Sequence, residues 1–327
     1  MIPEIIIRNT TNIIKEDFFL PSGEFRHPTT DPKNLGTISE DMYDVEFIFR
    51  AYTFLASTIY TPFYDKDKKQ VFKELSSAKA TSHLVIKTFS KNLCSCRDYI
   101  GVSGRDFSRK MIEIIPLLTP SVISSDWEEV EELSCTLIDS LNAKNCIISR
   151  GQPDAVIAWF TLKLLSKVFN IEIDKRKPFF PKKDKFVDYQ NVLDNWNTED
   201  MIELDKMVYI LCDLHMKDAE DNTAFTDYFL DESLAILFPY EVIILLKLRE
   251  RAGLENFQYF SHPLVHTPIM KTLLNIEEPL PTPQPQEDLV VFLNKLQEMC
   301  PDNDVEIPEW LETMTHSNAI PDDFINN

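Results

Sequence analysis

Only 6 of the 327 residues are glycine. Tight hairpins, barrel corners and phosphate-cradling loops need positive φ or a bare backbone, and glycine meets both needs at the lowest cost. A chain this poor in glycine is expected to be helical rather than strand-rich and to lack a nucleotide-binding loop. Apolar residues make up 44% of the chain, enough at this length for a large core without disulfide or metal staples.

The apolar spacing agrees. In "SEDMYDVEFIFRAYTFLASTIY", Val45, Ile48, Phe49, Tyr52, Leu55, Ala56 and Ile59 recur at helical intervals behind Ser39 or Asp41 as a cap. Further helices are predicted over residues 68–89, over 105–118 with "LTPS" as the stop, and from Ser125, which has capping-box spacing to Glu128. "SRGQPDAVIAWFTLKLLSKVFN" is apolar nearly all round, the mark of a central buried helix. The pattern resumes in "DKFVDYQNVLDNW", "TEDMIELDKMVYILCDLHMKDA", "TDYFLDESLAIL" and "LFPYEVIILLKLRERAGL". In the last stretch a helix runs from Pro239 to Ala252, and Gly253 supplies a left-handed stop on which Leu254 folds back.

Segments of this length without an alignable repeat predict an all-α protein, an antiparallel helical-hairpin array or bundle. Residues 1–37 form an irregular N-terminal lead-in. Residues 38–275 form the helical domain, divisible into halves 38–173 and 184–275 around the basic loop 174–185. Residues 276–327 hold a proline-rich linker ("EEPLPTPQPQED"), a short helix and an acidic tail. No window approaches the ~18 apolar residues of a membrane span, and "MIPEIIIRNTTNIIKEDFF" has no signal-peptide pattern, so a cytoplasmic chain is expected. The six cysteines form no regular framework, which fits a reducing compartment.

Charge narrows the function. Thirty-three basic residues against 53 acidic ones give −20. This opposes binding to nucleic acid or to an anionic membrane and favours encounter with a basic protein. The stretch 174–185, with Phe179 and Phe180 among lysines, could stack on a nucleic acid, but is read as a loop whose phenylalanines plug the core. No nucleophile elbow or phosphate loop is present. His262 and His266 lie four apart in "SHPLVHTP", but the prolines oppose a helix that would aim both rings at one ion. The pair reads as a turn. "CDLH", Cys212 to His215, spans one helical turn and is the remaining candidate for metal chemistry. No cofactor or metal is expected.

Acidic helix faces are the other candidates. Glu128, Glu129, Glu131 and Glu132 follow Trp127, and Glu199, Asp200 and Glu203 open a later helix. Catalysis would need two carboxylates in environments that separate their pKa values, and a run of exposed acids has no such difference. Recognition of a basic surface uses such rows directly, with aromatic anchors such as Trp127, Tyr189, Trp196 or Tyr228 available in type.

"FPYEVIILLKLRERAGL … SHPL", from Phe238 to Leu264, together with "GQPDAVIAWFTLKLLSKVFNIE", resembles segments of all-helical immunity proteins of bacterial polymorphic-toxin and contact-dependent secretion systems. The likeness covers about a quarter of the chain and rests on a helix start, an apolar run and a glycine stop. It implies a protein that binds and neutralises a cognate toxin, such as a nuclease, and carries no catalytic residues. Two alternatives stay open: a helical metal-dependent hydrolase using carboxylates and His215, and a scaffold that binds another protein without inhibiting it.

Overall fold

The structure, a computed structural model, describes residues 72, 75, 76, 78–80, 82, 83, 86, 87, 115–142, 156–174, 186–220, 238–276 and 279–281. The expected lead-in, the helix around Val45, the body of the basic loop, the segment 226–237 and the acidic tail lie outside these residues. Among the described residues every regular element is a helix. None is long and apolar enough to cross a membrane.

After a 3-10 turn, Ile115–Leu118, come α1 (Thr119–Ile123), α2 (Trp127–Asn142), α3 (Val156–Phe169), α4 (Val187–Asn195), α5 (Met201–Glu220) and α6 (Tyr240–Arg251). A second 3-10 turn, Pro263–His266, leads into α7 (Pro268–Leu274). The described positions between 72 and 87 are also helical, and Leu75, Ala78 and Ile86 on them are buried. Chain neighbours pack together, α2 on α3, α3 on α4 and α4 on α5, while α6 touches α1, α3, α5 and α7.

Two expected boundaries move. The helix expected over 105–118 is described only from Ile115, and helical structure continues through "LTPS": Pro120 sits in the first turn of α1, where a missing N–H would be unpaired in any case. Nor does Ser125 cap α2. Ser125 takes a left-handed φ of 57°, and Asp126, one residue later, accepts the Glu129 amide at 3.3 Å. Asp126 with Glu129 keeps the spacing expected of Ser125 with Glu128, because a carboxylate caps as well as a hydroxyl and also meets the positive end of the helix dipole.

The two apolar helices form the centre. From Val156 to Leu165 only Lys163 of α3 is more than marginally exposed, as its composition requires. In α6 every residue from Tyr240 to Arg249 is buried. It starts directly after Pro239, one residue later than expected. At its end Gly253 has φ 75°, its amide bonds to Glu250 O at 2.9 Å, and the Leu254 amide reaches Arg249 O at 3.0 Å. This is the paired 5→2 and 6→1 closure that a left-handed glycine permits.

Three charged residues come inside with α6, and each finds partners. Glu241 bonds His215, Lys247 donates to Glu250 Oε2 at 2.9 Å and Leu274 O at 3.2 Å, and Arg249 meets four acceptors. α7 follows the Thr-Pro start rule: Thr267 Oγ1 accepts the Met270 amide at 3.3 Å, and Pro268 occupies the first turn.

Candidate functional site

The acidic face of α2 divides into two parts. Towards the 72–87 segment it forms an ion-pair ladder. Lys79 Nζ lies 2.6 Å from Asp126 and 3.0 Å from Glu129, His83 Nδ1 lies 2.7 Å from Glu129, and Lys87 pairs with Glu132. The intervals match: positions 79, 83 and 87 rise by single turns opposite 126, 129 and 132. Burial alone would push the Glu129 carboxyl up, but the His83 hydrogen bond and the Lys79 charge outweigh it and hold it below the usual glutamate range. Asp126 is likewise held down, burial being overcome by Lys79 and the Glu129 amide.

The other part of α2 faces outward. Glu128, Glu131 and Glu132 are exposed. Glu131 reaches Arg251 of α6 only at 3.6 Å. Trp127 is half-buried, with the Arg251 guanidinium 5.8 Å from its ring centroid and 4.4 Å from that of Phe169. It therefore helps seat α6 against α2 and α3. Cys135 sits among these acids, and burial together with Asp139, Glu131 and Glu132 pushes its thiol up, away from the reactive thiolate.

The second acidic group opens α5. Asp200 caps the helix, its Oδ1 accepting the Ile202 amide at 2.9 Å and the Glu203 amide at 3.3 Å. Glu199 is exposed, and Glu203 pairs loosely with Lys206 at 3.7 Å. Arg249 holds the loop that leads in, donating to Trp196 O at 2.6 Å and Thr198 O at 2.8 Å. Two residues on, Arg251 reaches α2. The end of α6 thus ties down both acidic groups, which the sequence left unrelated.

In the "CDLH" turn Cys212 and His215 are buried and Asp213 faces solvent. His215 and Glu241 are both 0% exposed, with His215 Nδ1 and Glu241 Oε1 hydrogen-bonded at 2.8 Å. The other carboxylate oxygen of Glu241 meets no donor among the described residues. Burial, with Glu241 and Asp213 nearby, pushes the Cys212 thiol far up. Among the described residues no cluster of three side chains could hold a metal ion. The histidine pair separates as its prolines suggest. His262 is buried and accepts the Leu264 amide on Nδ1 at 3.1 Å, while His266 bonds Phe260 O at 2.6 Å. His262 Nε2 lies 3.3 Å from Asp213, near enough for attraction but without hydrogen-bond alignment. Burial lowers its pKa against that attraction.

The aromatic anchors differ from those available by type. Tyr189 is buried against Phe160 and Phe186, Trp196 is half-buried, and Tyr228 lies outside the described residues. Among the described residues, the large apolar side chains left in solvent are Val187, Ile202, Tyr209 and Tyr259. Two of them had a sequence signal. Leu204, Met207, Val208 and Leu211 trace the buried stripe of α5, and Ile202 and Tyr209 fall off it. Comparison of the chain with family models, with curated proteins and with solved structures finds no match.

Proposed function

We propose that this protein is an immunity-type inhibitor: it binds a toxin protein bearing a basic surface and occludes it through acidic helix faces. The antiparallel hairpin arrangement, the acidic tail and action in the cytoplasm belong to this reading. The observation that carries it is the placement of outward carboxylates. Glu128 and Glu131 face solvent on α2, Glu199 and Asp200 lead into α5 with Glu203 in its first turn, and Arg249 and Arg251 at the end of α6 reach both groups. Fixed rows of charge speed encounter with an oppositely charged surface and select among partners.

The hydrolase reading has less support. It depends on His215, which has no exposed surface and is already bonded to Glu241. A general base must come within hydrogen-bond reach of its substrate. The test is to ask whether an adjacent gene encodes a toxin and, if so, to co-express the two. The expected result is protection of the cell and co-purification of the two proteins. The absence of both protection and a complex would refute the proposal, and a complex without protection would favour a non-inhibitory scaffold.

A further inference from the structure

Resting on that protein-binding reading, we infer that Ile202, Tyr209 and Tyr259 anchor the interface and dock a basic protein surface rich in arginine or lysine. Their exposures are 70%, 40% and 75%. Residues 202 and 209 are seven apart on α5, so they share a face and lie about 10 Å apart along the axis. The loop after α6 touches α5 beside this face. The Ser261 amide donates to Asp205 Oδ1 at 2.7 Å, and the His262 ring meets the Tyr209 ring edge-on at 4.9 Å. Tyr259 is two residues before Ser261, so the chain brings it within about 7 Å of that contact.

Acids surround the strip. Residues 199–213 contain five acids, Glu199, Asp200, Glu203, Asp205 and Asp213, against one lysine, Lys206. Lys206 pairs with Glu203, and Asp213 stays half-exposed beside His262. Solvent-facing tyrosines within a carboxylate rim suit cations twice over, by charge and through the ring faces. A second copy of this chain would set the same acids against one another, and a nucleic acid would bring phosphates to them.

The test uses the purified full-length chain and the purified toxin domain from the adjacent gene. Tyr259→Ser and Ile202→Ser are each expected to weaken binding by about tenfold or more, through faster dissociation and with the salt dependence kept. Glu203→Gln should slow association and flatten the salt dependence. All three side chains leave the core unchanged, so the melting curves should coincide with wild type. Wild-type affinity in both anchor variants overturns the inference while leaving the inhibitor reading intact. If the wild-type chain does not bind that toxin, the inhibitor reading fails, and a benzophenone photo-crosslinker at position 259 in the producing cell decides the surface. A crosslink to a basic protein that Ile202→Ser abolishes upholds the inference. A crosslink to a second copy, to an acidic protein or to nucleic acid, or no crosslink, overturns it.

Discussion

Arg249→Met should be among the most damaging single changes to this chain. The side chain is fully buried, yet its guanidinium faces neutral acceptors only. These are Trp196 O at 2.6 Å, Thr198 O at 2.8 Å, Glu255 O at 3.0 Å and Asn256 Oδ1 at 3.1 Å. Methionine fills similar space and leaves all four without a donor. A sealed, unsatisfied acceptor costs about 1–3 kcal/mol. Glu255 is exposed and Trp196, Thr198 and Asn256 are half-buried, so water can reach some of them and the low end applies. The expected loss is about 3–5 kcal/mol. Arg249→Lys, whose donors sit on one atom, cannot span acceptors on two separate segments and should lose about half as much. Urea unfolding of the full-length chain measures both, and hydrogen exchange at 196–200 should rise first. The loss should not depend on salt, since no carboxylate is involved. A cost for Arg249→Met below about 1 kcal/mol would refute the clamp.

Gly253→Ala should cost about 1 kcal/mol and Gly253→Asn less, because φ is 75° but a Cβ would meet no atom within 4 Å; the urea midpoint reports it. His215→Leu and Glu241→Leu should each cost about 3–5 kcal/mol by stranding a buried partner. The double variant should cost clearly less than the sum, and strict additivity in the double-mutant cycle would show that the pair is not coupled. For Asp126 and Glu129 the folded carboxyls titrate below their unfolded values. Their contribution is therefore complete above the ordinary carboxylate range, near pH 4, and is lost as pH falls through the folded values. Lys79, raised by these partners despite burial, contributes below its ordinary value near 10.4 and loses that contribution as pH climbs through its raised one. In stability–pH curves Lys79→Met should therefore flatten the acid limb, and an unchanged limb would remove the ladder's role.

Helix class, the buried character of α3 and α6, and the glycine stop were legible because each follows from local pattern. The apolar run Val242–Leu246 covers α6 on all sides, and Gly253 answers a φ that few residues tolerate. Partner choice across the chain was not legible. Glu129 and Glu128 are adjacent in one acidic run, yet Glu129 turns to Lys79 and His83, 46 or more residues away, while Glu128 turns to solvent. Nothing local distinguishes them. By position Arg249 is a helix-end cation that would complement the dipole, yet two of its partners lie on a loop about 50 residues earlier. Ile202 and Tyr209 stood off the apolar stripe of α5, so their exposure could have been read. The adjacency of Tyr259 depends on a contact between Ser261 and Asp205, 56 residues apart.

The cations that come inside sharpen the charge that faces out. Lys247 and Arg249 spend their donors on internal acceptors, Arg251 lies on the rings of Phe169 and Trp127, and Lys79 and Lys87 are taken up by α2. Fewer cations are then left to offset Glu128, Glu199 and Asp200 in solvent than the composition alone suggests. The same residues that secure the helices therefore also segregate charge. This links stability to recognition in a way that can be separated. Arg249→Met should slow association with a basic partner by loosening the Glu199–Asp200 loop, and should speed dissociation to the extent that freeing Glu255 and Asn256 loosens the stretch carrying Tyr259. Stopped-flow binding below the unfolding transition reads the two rates independently. A change confined to dissociation would mean that the clamp serves the anchors rather than the acids.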